Sequence, residues 1–166
     1  MAQTTDKPRG RVLIIAGSDS GGGAGIQADI KTVSALGGYA MTAVTAITVQ
    51  NTLGVTDVHA VPPEIVRAQI DAVMSDLGAD TWKIGMMGSA AHVRVVIDAW
   101  YAVGGGAPVV LDPVMIAKGG ASLLEEDAIE IIRDELMPVA AIVTPNAPEA
   151  EALTGVAVND LDGQMD

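Results

Sequence analysis

Cysteine and phenylalanine are both absent from this chain, and the aromatic content is two Trp and two Tyr. Without cysteine there are no disulfides and no thiolate metal sites, which suits a reducing cytosol. Without phenylalanine the core must be assembled from Val, Ile, Leu, Ala and Met. Basic residues are also scarce. Nine Lys and Arg are scattered against twenty-one Asp and Glu, for a net charge of −12. Nucleic-acid backbones and anionic membrane surfaces both call for a basic patch, so neither is expected as a partner. No apolar run approaches the roughly 20 residues of a membrane span, and the polar start "MAQTTDKPRGR" is unlike a secretory signal, so the expected location is cytoplasmic.

What is present suits one globular domain. The 166 residues are 49% hydrophobic and 18% charged, a composition that buries a core. Strand-like and helix-like stretches alternate. "RVLIIAG" (11–17) is an apolar, β-branched strand, and Ile26, Ile30, Val33 and Leu36 then follow helical spacing until Gly37 and Gly38 stop them. "MTAVTAITV" (41–49) reads as a second strand. After a loop holding His59, Pro62-Pro63-Glu64 opens a helix. "TWKIGMM" (81–87), "PVVLD" (108–112) and "AAIVT" (140–144) are further strands, and helices are expected from Ser89 to Val103, from Glu126 to Met137 and from Asn146 to Leu153. Alternation with doubly apolar strands predicts an α/β fold, a mostly parallel sheet flanked by helices. Ligands of open α/β sheets bind beyond the carboxyl ends of the strands. Gly17, Gln50, Gly85, Asp112 and Asn146 should therefore share one rim.

The loop "AGSDSGGGAGIQAD" (16–29) holds five glycines between a strand and a helix. Its Gly23-Ala24-Gly25-Ile26-Gln27-Ala28 satisfies the dinucleotide spacing. That fold also needs an acid ~20 residues on for the ribose, and no acid lies between Asp29 and Asp57. Lys31-Thr32 suggests a phosphate loop, but Ile30 precedes the lysine where Gly is required. Two readings stay open: a turn in which glycine serves only close packing, and a small polar ligand that reaches the main chain and meets Asp29 one turn inside the helix. The glycine count favours the ligand. His59 and His92 have no partner cluster and are expected in solvent. The pairs Glu125-Glu126 and Asp134-Glu135 read as exposed helix faces, and Trp82 and Trp100 as core.

"AGSDSGGGAGIQADIKT" resembles the N-terminal signature of the hydroxymethylpyrimidine/phosphomethylpyrimidine kinases of thiamin biosynthesis, in the ribokinase superfamily. Four further segments agree in order: "TAITVQNT" (45–52), "KIGMMGS" (83–89), "VVLDPVMIAKGG" (109–120) and "VTPNAPEAEALTG" (143–155). The resemblance implies a three-layer ribokinase-like fold and phosphorylation of hydroxymethylpyrimidine and its monophosphate by ATP with Mg2+. It implies that Gly17, Asp29 and Gln50 contact the pyrimidine and that Met86 and Val114 form apolar walls. Asp112 and Lys118 would face the phosphates, and Asn146 and Glu149 would lie at the magnesium and phosphate end. The same Asn146 and Glu149 also read as an N-cap and its N3 partner. Related kinases continue for roughly a hundred residues, including the Gly-Thr-Gly-Cys-Thr segment that stabilises the transferred phosphoryl group. The expectation is that residues 1–166 form the N-terminal portion of a single kinase domain, with the catalytic residue beyond it, a homodimer at full length, an exposed sheet edge and no activity alone. A pyridoxine-type kinase and a non-catalytic pyrimidine-binding fragment are the alternatives.

Overall fold

The computed structural model describes residues 9–115 and 124–158. Six strands form one sheet in the order β3-β2-β1-β4-β5-β6. They are β1 (Arg11–Asp19), β2 (Tyr39–Gln50), β3 (Val55–Ala60), β4 (Thr81–Ile84), β5 (Val109–Leu111) and β6 (Ala140–Val143). All neighbours are parallel except β2 and β3. The helices are α1 (Gly25–Ala35), α2 (Pro63–Asp76), α3 (Ala90–Val103), α4 (Glu126–Ile131) and α5 (Ala147–Thr154). The single helix expected up to Met137 is broken: α4 passes into a π-helical turn over Ile132–Leu136 and a 3-10 turn over Met137–Val139. Pro138 lacks the N–H that a continuing helix needs.

Side chains alternate across the sheet. Leu13 and Ile15 of β1, Trp82 and Ile84 of β4, and Val109 and Leu111 of β5 form the main core with Val66 and Ile70 of α2 and Val93 and Val96 of α3. The opposite face carries Ile14, Lys83 and Val110, paired in register across β1, β4 and β5. Here α1 packs on β1 and β2. It buries its stripe only partly, with Ile26, Ile30 and Val33 half-covered and Leu36 exposed. The two edges are β3 and β6, and Ile142 on β6 is exposed.

Two expectations are corrected. The loop after β2 holds an extra strand, β3, which turns back on Asn51. Its N–H donates to Gly54 O, while its side-chain oxygen accepts from the Leu53 and Gly54 N–H groups. His59 therefore lies on a strand, although exposed as expected. His92 is buried, not solvated. It lies on α3 with Nδ1 2.7 Å from the hydroxyl of Ser89, the helix N-cap, and Nε2 2.7 Å from the Val61 carbonyl. The imidazole thus pins the start of α3 to the segment leading into α2.

At the amino ends of the strands, Arg11 clasps Asp80. Its backbone N–H and Nε donate to Oδ2 at 2.8 and 3.1 Å, and a terminal guanidinium nitrogen donates to Oδ1 at 2.7 Å. Chiefly through the guanidinium hydrogen bond, the Asp80 carboxyl is lowered from 3.8 to about 2. This clasp stands at the far end of the sheet from the site described next. No helix among the described residues is long and apolar enough to cross a membrane.

Candidate functional site

The glycine loop is organised by one carboxylate. Asp19, 5% exposed, ends β1 and turns its side chain into the loop. Oδ1 accepts from Gly21 N–H (2.7 Å), and Oδ2 accepts from Gly23 and Ala24 N–H (2.9 and 2.8 Å). Its carbonyl accepts from Gly22 N–H at 3.0 Å. Four consecutive amides are thereby spent inside the loop, so they form no cradle for phosphate. Lys31 donates to the Gly22 carbonyl at 2.7 Å and is likewise engaged. At Gly25 φ is +55°, and a Cβ there would fall on the Gly17 carbonyl oxygen, so glycine is needed for helix and strand to meet.

The register of β1 on β2 slips between Ala16 and Ser18. Thr45 and Ala46 of β2 stand there opposite the single Gly17 of β1, a bulge in β2 that bends it beside the end of β1. Beside it opens a cavity of about 340 Å3 at the carboxyl ends of the strands. Five residues expected to contact a ligand, Gly17, Asp29, Gln50, Met86 and Val114, line it, and so does Asp112. They come from β1, α1, β2 and the segments following β4 and β5, as far apart in sequence as Gly17 and Val114. Gln50 is held at the rim: its N–H donates to the Ser20 hydroxyl at 2.9 Å, and its Oε1 lies 3.0 Å from the Thr48 hydroxyl. The Met86 carbonyl accepts from buried Thr45 at 2.6 Å, which fixes the backbone where β4 ends.

The cation of the lining was not anticipated from the sequence. Lys83 of β4 enters the cavity with Nζ 2.9 Å from Asp29 Oδ2 and 3.4 Å from Asp112 Oδ2. A larger cavity of about 510 Å3 shares only Met86 with the first. Its histidine, His92, is committed to Ser89 and Val61. The smaller cavity holds the converging polar groups and is the better candidate.

Asn146 and Glu149 lie outside the lining of both cavities. They form a reciprocal capping box on α5. Asn146 Oδ1 accepts from Glu149 N–H at 3.0 Å, and Glu149 Oε2 accepts from Asn146 N–H at 2.9 Å. Glu149 is buried, and its Oε1 also accepts from Met115 N–H at 3.4 Å. Each carboxylate oxygen thus already accepts one backbone N–H, and the lone pairs that remain suit contact with a cation through water. Among the described residues no group of three or more His, Asp or Glu could hold a metal ion. Lys118 lies outside the described residues.

Comparison with known proteins identifies the family. Residues 19–166 match the family model described as phosphomethylpyrimidine kinase. The hydroxymethylpyrimidine/phosphomethylpyrimidine kinase of Haemophilus influenzae is 52% identical over 150 residues, covering 90% of this chain and 55% of that protein. The chain thus spans little more than half the length of this curated relative. The crystal structure of a phosphomethylpyrimidine kinase from Clostridium difficile superposes with a TM-score of 0.84 at 45% identity, covering 93% of this chain and 66% of the other. A pyridoxal kinase from Staphylococcus aureus, solved in complex with pyridoxal, gives a TM-score of 0.83 at 34% identity, covering 93% and 57%.

Proposed function

The chain belongs to the phosphomethylpyrimidine kinase family, and from that premise we propose that its 340 Å3 cavity takes hydroxymethylpyrimidine and its monophosphate as acceptors of a phosphoryl group from ATP. The observation that carries this reading is the convergence of Gly17, Asp29, Gln50, Met86 and Val114 on one cavity at the sheet's carboxyl rim. A substituted aminopyrimidine offers donors at its amino and hydroxymethyl groups and acceptors at its ring nitrogens. Asp29 accepts, and Gln50 can do both. Met86 and Val114 are the apolar walls against which the ring lies.

Phosphoryl transfer is mostly a matter of positioning and of stabilising charge. These residues orient the acceptor hydroxyl and exclude water around the ring. Asp112, just after β5, would face the phosphates. Asn146 and Glu149, acting through water, would stand nearest the magnesium ion, which when bound neutralises charge on the ATP phosphates.

Because the chain spans 55% of its Haemophilus relative, ligand binding is the property to measure on it. Isothermal calorimetry should show hydroxymethylpyrimidine binding about tenfold or more tightly than pyridoxal, a gap of about 1.4 kcal/mol. Equal or reversed affinities would favour the pyridoxal-type reading instead.

A further inference from the structure

Lys83 occupies an unusual place. β4 lies between β1 and β5 in a parallel sheet, where strands covered on both faces are ordinarily apolar. Its neighbours Trp82 and Ile84 are fully buried, while its own side chain is 20% exposed. An ammonium withdrawn this far from water is costly unless it is well paired. Space is kept for it: a Cβ on Gly85 would stand 2.9 Å from Lys83 Nζ and 3.1 Å from Ala16 Cβ.

The charges around Asp29 show what Lys83 compensates. Asp29 Oδ2 is closed to solvent and receives no directed hydrogen bond among the described residues. Its compensation is the ammonium charge 2.9 Å away. On the same helix, Lys31 is turned to the Gly22 carbonyl. From β1, Asp19 is spent on the loop amides. From the end of β5, Asp112 faces the same ammonium at 3.4 Å. Lys83 is the only Lys or Arg among the described residues lining the cavity. Without it, two carboxylates would share the space with no cation between them.

We infer that Lys83 is the positioning residue of this site, pairing with Oδ2 of Asp29 so that this carboxylate stays a fixed acceptor for the pyrimidine's donors. Through Asp112 the same ammonium joins the ring end of the cavity to its phosphate end. The inference rests on the assignment of Asp29 to the pyrimidine made above.

A double-mutant cycle tests it, with hydroxymethylpyrimidine titrated into the wild-type chain, Lys83→Met, Asp29→Asn and the double variant. Neighbours acting as one unit give non-additive losses. Each single variant should bind about tenfold more weakly, and the double variant should bind no more than about twofold worse than Asp29→Asn. Gly85→Ala, which crowds the ammonium and leaves Lys83 in the sequence, should also weaken binding in the wild-type background and not in Asp29→Asn. It takes over the cycle if Lys83→Met fails to give a native far-ultraviolet spectrum. Fully additive losses, or a Lys83→Met chain that binds as tightly as wild type, would overturn the role of Lys83 and leave the pyrimidine reading intact. No binding by the folded wild-type chain would overturn the pyrimidine reading itself, and the inference with it.

Discussion

Gly17 and Met86 meet so closely that a methyl group on Gly17 would overlap Cε of Met86. The contact joins the end of β1, opposite the bulge of β2, to the segment that follows β4 at the wall of the cavity. Methionine has three rotatable side-chain bonds and yields readily. Gly17→Ala should therefore fold, with a stability loss of about 1–2 kcal/mol from overpacking. The displaced thioether should intrude on the ligand, weakening hydroxymethylpyrimidine binding about tenfold. Calorimetry beside urea unfolding separates the two effects, and an unchanged affinity would remove Met86 from the ligand's wall.

Asp19 should behave as a structural anchor. Its carboxylate accepts three loop amides while almost wholly buried. Hydrogen bonds to a charged group are worth about 1.5–3 kcal/mol each and do not simply add. Asp19→Ala should cost about 3 kcal/mol in urea denaturation, with Asp19→Asn, which keeps one acceptor oxygen, falling between the two. A near-neutral Asp19→Ala would show that the loop holds its shape by glycine conformation alone.

Asn146 caps α5, and the cap is separable from any service to magnesium. Replacing an N-cap Asn by Ala costs about 1 kcal/mol, whereas Ser preserves most of the cap. Asn146→Ala should lower the urea midpoint accordingly and Asn146→Ser should scarcely move it. If both variants weaken magnesium-dependent nucleotide binding to the same degree, the amide serves the cation as well as the helix. If Asn146→Ser binds as wild type, capping accounts for the residue.

The clasp of Arg11 on Asp80 gives an acid-range prediction. The Asp80 carboxyl is lowered to about 2 from an ordinary 3.8, so the folded state binds its proton less readily than the unfolded chain. Stability from this pair is then complete above about pH 4 and is lost as the pH falls toward 2. Carbon-detected titration of the Asp80 side chain should report a midpoint near 2, and Arg11→Met should return it toward 3.8. Ligand affinity should stay unchanged in Arg11→Met, since the clasp sits at the opposite end of the strands.

Much of this architecture was readable because local pattern and tertiary burial agree. The runs ending in Gly17, Gln50, Asp112 and Thr144 are apolar and β-branched, and the carboxyl-end rule gathers their following residues on one rim. β3 escaped because "VTDVHA" (55–60) is an edge strand with little burial, so no apolar run marks it. Its turn rests on the side chain of Asn51, a signal visible only once the pairing is known. His92 stands three residues after the cap Ser89, which was a usable clue, but its second partner Val61 is supplied by the tertiary fold. Lys83 was hidden most thoroughly. Within "TWKIGMM" it interrupts an apolar strand, and its two carboxylates come from positions 29 and 112. Nothing local announces either.

The inward turn of Asp19 has a consequence for how such a site can vary. Because the loop satisfies its own amides, its shape does not depend on what lies above it. The stretch from Gly21 to Ala24 therefore stands apart from the walls: it can stay fixed while side chains such as those of Gln50 and Val114 are exchanged, whereas Met86 is tied to the loop by its contact with Gly17. A change of heterocycle then demands only new walls, with no redesign of the strand-to-helix crossing beneath them.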